Sequence, residues 1–512
     1  MLKPKPPQES FYGSYLYDRI VPVDHLLRKI NQVLDFSFVG QILEDRYNPD
    51  IGRPAEDPEF MLRLCLLQYI YGDSDRQVVE NARLNLAYKY FLGLAVDAEV
   101  PDYTTISYFR AQRLGEEKFQ LVLEQIVRQC IDKGLVKGKR QIIDSTPVIA
   151  NISSSSITGL VRKCRENVLK TIEKQDAKIA ERLGLKELQN AEQAASTEEG
   201  LQKEIEAAGE LLDSVTTELR VKKLIPNEEL KKDLELLEKA VVDREEHAKD
   251  KLLSPVDTDA RMGKKTSNIW PGYKAHIVME EETGIITGVE TTPANATDGS
   301  QLKPLLKEQA EVHSLKPQEL TADKAYDWGE NLEALANNQT IANIALSKVN
   351  HRNGVGYFTV DDFLYDPENV KLMCPAGHIS TSCYSEILYN NKSGYAFQFK
   401  PSLCNTCPLK AKCIKNNKGR RVYISYYEPY FRLARERLAT EEGKQAYRNR
   451  YKIEQKVADL TRYCGLRRCR YRGLDRAGIH TLLATIVCNI KRMVKLLWGK
   501  PDNYYLESPV AG

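Results

Sequence analysis

Asp144, Asp323 and Glu454 each sit in a local setting that suits a metal ligand. Asp144 follows the aliphatic pair in Lys139-Arg-Gln-Ile-Ile-Asp-Ser-Thr-Pro147, which predicts a short buried strand with the acid at its carboxyl end and Pro147 as its stop. Asp323 follows Glu319-Leu-Thr-Ala322, a second short strand, and Gly329 marks the turn into the next helix. Glu454 lies in a stretch from Tyr447 to Leu460 without Gly or Pro, where helical spacing puts Tyr447, Arg450 and Glu454 on one face. Mg²⁺ prefers oxygen ligands and is held by few carboxylates. The chemistry such a set serves is phosphodiester hydrolysis or transfer, where two ions about 4 Å apart stabilise the attacking and leaving oxygens. Taken singly, a strand-end acid is more often solvated or structural, and the chain holds 71 acidic residues.

The elements that must position these acids are legible in outline. Tyr273–Met279 and Gly284–Thr291 read as a hairpin, Gln301–Val312 as a helix, and Ile341–Ser347 as a further strand. Upstream, Phe60–Tyr71 and Asp75–Leu84 read as helices around Gly72-Asp-Ser74, a spacing that fits a helix-turn-helix and equally a packed helix pair. Asp102 and its neighbours offer helix caps before Phe109. Between the first acid and the core, residues 155–252 are rich in Glu, Lys, Leu and Ala. Gly184, Gly200, Gly209 and Pro226 are expected to divide this stretch into a helical hairpin or coiled-coil arm, or an arm packed on its own chain. Leu230, Leu234, Leu237 and Val241 mark its apolar face. Residues 478–498 predict an amphipathic helix on the core.

The three acidic segments, in this order, resemble the catalytic elements of DDE transposases of bacterial insertion sequences. Ser254–Arg261, Gly272–His276 and Thr292–Asp298 look like stretches between the first two aspartates of that family, and Tyr447, Arg450 and Glu454 match its Tyr-x2-Arg-x3-Glu signature. Two positions depart from it: Thr461 stands where many relatives carry Lys, with Arg462 as a substitute cation, and Ala325 stands where many carry Gly. The resemblance implies an α/β RNase H-like catalytic core with an α-helical N-terminal domain, a helical insertion and a Cys-rich insertion. It implies that Asp144, Asp323 and Glu454 bind two Mg²⁺ or Mn²⁺ ions, cut the terminal inverted repeats of a transposon, and direct the freed 3′-hydroxyl into target DNA. Tyr447 and Arg450 would hold backbone near the cut, and a homodimer would pair two ends in a synaptic complex.

On that basis residues 1–135 are expected to be a DNA-binding region, 136–154 the first core strand, 155–252 the helical insertion, and 253–348 the core. Residues 349–427 would form the Cys-rich insertion, 428–500 the helical end of the core, and 501–512 a tail. At 512 residues and 42% hydrophobic content the chain supports several such units. No apolar run is long enough for a membrane span and no apolar leader follows Met1, so the expected place is the cytoplasm of a bacterium or archaeon, at the nucleoid.

The net charge of +3 hides a gradient, because residues 401–500 hold 24 Lys or Arg against 7 Asp or Glu. Such a single-sign segment suits a phosphate backbone better than a solvated face. Its candidates for DNA contact are Arg462, Arg467, Arg468, Arg470 and Arg472, interleaved with Tyr463 and Tyr471. Of the eleven cysteines, Cys65, Cys130, Cys164 and Cys488 read as packing residues. Cys374, Cys404, Cys407 and Cys413 could form a tetrahedral Zn²⁺ site, with His378 or Cys383 as replacements, or stay free thiols. His276 reads as structural, Asp257 and Asp259 as supports behind the acids, and Asp298 as a helix cap. Two other functions fit the same residues: a nuclease or resolvase that cuts without joining, and a domesticated DNA-binding regulator.

Overall fold

The computed structural model describes residues 11–48, 54–152, 156–182, 197–222, 226–245, 250–265, 267–347, 356–387 and 393–498. Gly184 and the tail 501–512 lie outside them. The protein is mixed α/β, with a helical amino-terminal region and a mixed sheet.

The sheet holds β1 (Arg140–Ile149), β2 (Arg261–Lys265), β3 (Asn268–Glu280), β4 (Ile286–Pro293), β5 (Glu319–Ala322) and β6 (Ile341–Ile344), in the order β2-β3-β1-β5-β6 with β4 also on β3. β3 is antiparallel to β1, β2 and β4, whereas β5 is parallel to β1 and β6. Hydrophobic positions face both ways: Ile142 joins the large core beneath, and Ile143 a second cluster with Leu302, Leu305, Leu320 and Leu335. Two-sided burial explains the short apolar runs.

Pro147 does not end the first strand. β1 runs on to Ile149, paired with β3 throughout, while β5 pairs with it only over Arg140–Ile142. Beyond Ile142 one edge of β1 is open to loops, and Ile149 N–H donates across it to Arg467 O. The nitrogen of Pro147, two residues earlier, points to the same edge, so its missing N–H removes no ladder bond. Asp144 therefore lies mid-strand, just past the point where β5 ends its pairing.

Among the described residues eight α-helices, α1 (Phe11–Ile20) to α8 (Gly115–Asp132), precede β1, with α4 at Pro58–Tyr71 and α5 at Asp75–Leu84. Ser74 and Gln77 form a capping box that fixes the start of α5. The stretch after β1 carries α9 (Ile157–Gln175), α10 (Ala177–Arg182), α11 (Glu198–Lys222) and α12 (Glu228–Glu245). Helices α9, α11 and α12 pack around their own core of Leu160, Val168, Leu211, Leu237 and neighbours, so the expected hairpin is a small bundle. Gly200 and Gly209 lie inside α11 instead of breaking it. A helical Gly costs about 1 kcal/mol relative to Ala, which tertiary packing offsets.

After β4 come α13 (Leu302–His313) and α14 (Gly329–Asn337). The cysteine-bearing segment then forms a hairpin of β7 (Leu364–Asp366) and β8 (Lys371–Met373) and a three-stranded sheet of β9 (Ser382–Ile387), β10 (Ser393–Gln398) and β11 (Arg421–Ser425). Two short helices, α15 (Pro401–Asn405) and α16 (Lys410–Cys413), carry cysteines of this segment. Its separate core is Phe363, Leu372, Phe397, Phe399, Val422 and Ile424. The last described elements are α17 (Glu428–Ala439), α18 (Glu441–Arg448), α19 (Tyr451–Tyr463) and α20 (Leu474–Trp498).

Helix α20 is buried on all sides from Ala477 to Ile490, which corrects the amphipathic reading. It shares one apolar cluster with the amino-terminal helices and the sheet. Gly478 permits the close approach of α8, because a Cβ there would strike the Glu116 carboxylate. Buried His480 ties this core together: its Nδ1 accepts from Tyr69 Oη at 2.8 Å and its Nε2 faces Leu466 O at 3.3 Å. Burial pushes His480 down to about 4, and His276, bonded to Thr292 Oγ1, also to about 4. These imidazoles favour the fold above pH ~6.5, and that contribution is lost as pH falls through 4.

Burial and neighbouring acids push Glu116 and Glu308 up to about 7. These two favour the fold at low pH, and their contribution is lost as pH rises through 7. Glu308→Gln is therefore expected to raise the melting temperature at pH 8 by about 1–2 °C, the scale of ~1 kcal/mol in a large chain, and to change little at pH 5. A calorimetric comparison at the two pH values checks this, and an equal shift at both would contradict it.

Candidate active site

β1 delivers Asp144, the end of β5 delivers Asp323, and the first turn of α19 delivers Glu454. Asp323 Oδ1 accepts from Ala325 N at 2.8 Å, which closes a short 3₁₀ turn. Asp144 is buried, and its Oδ1 accepts from Ser145 N at 2.8 Å. Arg450 joins two of the acids: Nη1 lies 3.0 Å from Asp144 Oδ2 and Nη2 lies 2.8 Å from Glu454 Oε1. Lys265, from the end of β2, reaches within 3.9 Å of Asp144 Oδ1. Burial raises the Asp144 carboxyl above its usual range and the charge of Asp323 adds to the rise, against the pull of Lys265 and Arg450.

Tyr447, Arg450 and Glu454 do not share one uninterrupted helix. Tyr447 ends α18, and Asn449 and Arg450 form a tight turn before α19, with Arg450 N donating to Tyr447 O and Lys452 N to Asn449 O. The turn is anchored from below, because buried Glu281 accepts from Asn449 Nδ2 at 2.7 Å and Lys452 Nζ at 3.0 Å. This anchor aims Arg450 at β1.

Tyr326 lies behind the acids, fully buried, with a hydroxyl that has no partner among the described residues. Burial and the charges of Asp144, Asp298 and Asp323 hold its phenol protonated. Asp298 does not cap its helix; it accepts from Lys274 Nζ at 2.8 Å. Asp257 and Asp259 turn away to the start of α20, accepting from Gly473 N at 3.2 Å and Leu474 N at 3.0 Å. Their helix-cap role follows from the positive end of α20.

The basic segment lies across the open edge of β1, where Cys469 N donates to Ile149 O. Arg462, Arg467, Arg468 and Arg472 are exposed. Arg470 is not: it turns inward to Asp73 O at 2.6 Å and stacks over Tyr69, and Tyr471 packs under Arg110. Arg470 thus fastens the segment to the amino-terminal helices.

Cys374, Cys404, Cys407 and Cys413 line one cavity of about 20 Å³ with His378, Lys410 and Arg420, which is room for a single water-sized occupant. Leu409 N donates to Cys407 Sγ at 3.4 Å. Burial, and the other three thiols, push the Cys413 thiol up. Cys383 lies on β9, outside this cavity. Among the described residues no three His, Cys, Asp or Glu side chains stand close enough to hold a metal ion together. For the acids the reason is visible, since the Arg450 guanidinium bridges Asp144 and Glu454.

The sequence reading missed Lys265, Glu281 and Tyr326. Lys264-Lys265 was the available signal, but nothing in spacing showed that this pair ends a strand beside Asp144.

A family model described as "Transposase domain (DUF772)" matches residues 15–112, and one described as "Transposase DDE domain" matches residues 373–494. The second spans Tyr447, Arg450, Glu454 and the clustered cysteines, while Asp144 and Asp323 lie outside both. No curated protein and no solved structure matches the chain. Together the two matches support a DDE-type transposase of an insertion sequence, with DNA transposition as its function. A DDE domain is that of an enzyme which cuts and moves DNA; the family generally uses a divalent metal ion and binds DNA at transposon ends. Neither alternative function is favoured. Among the described residues no helix is long and apolar enough to cross a membrane.

Proposed function

We propose that Asp144, Asp323 and Glu454 are the catalytic acids of a metal-dependent transposase that cleaves transposon ends and transfers the strand into target DNA. The convergence carries this reading: Arg450 ties buried Asp144 of β1 to Glu454 of α19, and the charge of Asp323, just after β5, acts on Asp144. The sheet supports an RNase H-like core, since hairpin, helix, strand, helix and strand follow one another from β3 to β6.

The donor set fits Mg²⁺ or Mn²⁺. It is all oxygen, Asp144 is buried with the charge of Asp323 acting on it, which favours an added cation, and the buried Tyr326 hydroxyl near these charges has no partner among the described residues. Bound there, the ion acidifies the attacking water or 3′-hydroxyl and stabilises the leaving oxygen. The chain's own residues do the rest. Glu281 and Asn449 fix the turn that aims Arg450, and Arg450 and Tyr447 flank the scissile phosphate. Arg462, Arg467, Arg468 and Arg472 hold flanking backbone, with Arg470 anchoring their segment. A homodimer pairs two ends. The amino-terminal helices contribute end recognition, and the protein works in the cytoplasm at the nucleoid. Single-turnover cleavage and joining of DNA bearing the element's own ends test this reading.

The four cysteines fit structural Zn²⁺ by their chemistry, because they line one cavity and clustered thiols ionise together only around a cation. Purified protein is expected to carry about one zinc per chain by elemental analysis, lost in the Cys404→Ser/Cys407→Ser double variant. Stable, zinc-free protein with four reactive thiols would overturn that assignment.

A further inference from the structure

We propose that Lys265, on the β2–β3 hairpin, grips the phosphate being cut, supplying from the sheet the cation that the sequence reading sought at Arg462. This inference rests on the active-site reading above. Among the described residues two cations contact Asp144, namely Arg450 and Lys265. Arg450 is committed, with Asp144 on one side and Glu454 on the other. Lys265 is not. Its contact is loose at 3.9 Å, and its side chain keeps 53% of its surface in solvent, so donors of its ammonium remain open to a ligand beside Asp144.

The hairpin holds this lysine in place. Gly263 lies under the Trp270 indole so closely that a Cβ would fall 2.4 Å from a ring carbon, and Trp270 Nε1 donates to Tyr273 O at 3.2 Å. Lys265 pairs in register with Asn268, two residues past that clamp. Strand alternation sends neighbouring Lys264 to the opposite face. Thr461, where the family pattern has Lys, spends its hydroxyl on its own helix, donating to Val457 O at 2.9 Å. A point-charge ammonium beside a carboxylate site is suited to the charge that builds on a phosphoryl oxygen as a phosphodiester is cut.

The test compares Lys265→Gln, Lys265→Arg, Lys264→Gln and Asp144→Asn in the full chain, on uncleaved transposon ends. Two quantities are read: the dissociation constant across a salt series in EDTA, and the single-turnover cleavage rate in Mg²⁺. Lys265→Gln is expected to slow cleavage about 10–100-fold, the scale of one lost transition-state contact, and to flatten the salt dependence of binding by about one phosphate contact. Lys265→Arg should restore most of both, and Lys264→Gln should resemble wild type. Wild-type behaviour in Lys265→Gln, an equal loss in Lys264→Gln, or slowed cleavage with an unchanged salt slope and no rescue by Arg would each overturn the proposal. Asp144→Asn separates the two claims: retained cleavage there removes the active-site reading itself, whereas its loss beside a normal Lys265→Gln removes only Lys265.

Discussion

Asp144→Asn, Asp323→Asn and Glu454→Gln are each expected to reduce cleavage of transposon ends by about 10³-fold or more, the equivalent of ~4 kcal/mol of transition-state stabilisation, with DNA binding kept. Each change is nearly isosteric and removes one negative charge, from the pair bridged by Arg450 or from Asp323, whose charge acts on Asp144. The three differ in their effect on the fold. Glu454 is largely exposed, so its variant should fold as wild type does. Asp144 is buried and offers its carboxylate to Arg450 and to Ser145 N, and Asn keeps an acceptor for one of them. Asp323 closes the turn after β5 through Ala325 N, a bond that Asn also makes. Circular dichroism and gel-shift assays with end DNA, run beside the cleavage assay, separate loss of chemistry from loss of fold. Any of the three retaining near-wild-type cleavage would move the catalytic centre elsewhere.

The second large effect is expected at Arg450, and it has two signs. The guanidinium bridges Asp144 and Glu454 in the protein alone, so it competes with a divalent ion for the same oxygens. Arg450→Ala should therefore bind Mn²⁺ more tightly than wild type in the absence of DNA, by about 10-fold for one displaced charge-assisted contact of ~1.5 kcal/mol. With DNA present the same variant should cleave about 10²-fold more slowly, because the group that flanks the phosphate is gone. Mn²⁺ titration followed by electron paramagnetic resonance, set against single-turnover cleavage, reads both. Equal Mn²⁺ affinity in the two proteins would show that the bridge does not guard the site.

Much of this arrangement was legible in the chain. Ile142, Ile143, Leu320 and the Tyr273–Met279 run announced their strands because both sheet faces are covered, and Ser74 announced α5 through its cap. The three candidate acids stand out in the sequence because two of them adjoin apolar runs and the third lies on a helical face. What was not legible depended on edges and on distant partners. Pro147 reads as a stop unless one knows that β1 has an open edge there. The break at Asn449 leaves no Gly or Pro behind; it is imposed by Glu281, 168 positions away. Arg470 looks like its exposed neighbours until Tyr69 and Asp73 are brought beneath it. Lys265 belongs to the same class, since only the β2–β3 pairing carries it to Asp144.

The all-round burial of α20 has a consequence for how the protein comes into being. Residues 477–490 fill the space between helices made early in synthesis and a sheet made midway, yet they are among the last described residues to leave the ribosome. Until they arrive, the faces of α4 and α8 that will cover them stand open to water. A chain broken off before Leu474 is thus an unfinished polypeptide with an exposed apolar trough, prone to aggregation and proteolysis, rather than a smaller DNA-binding protein.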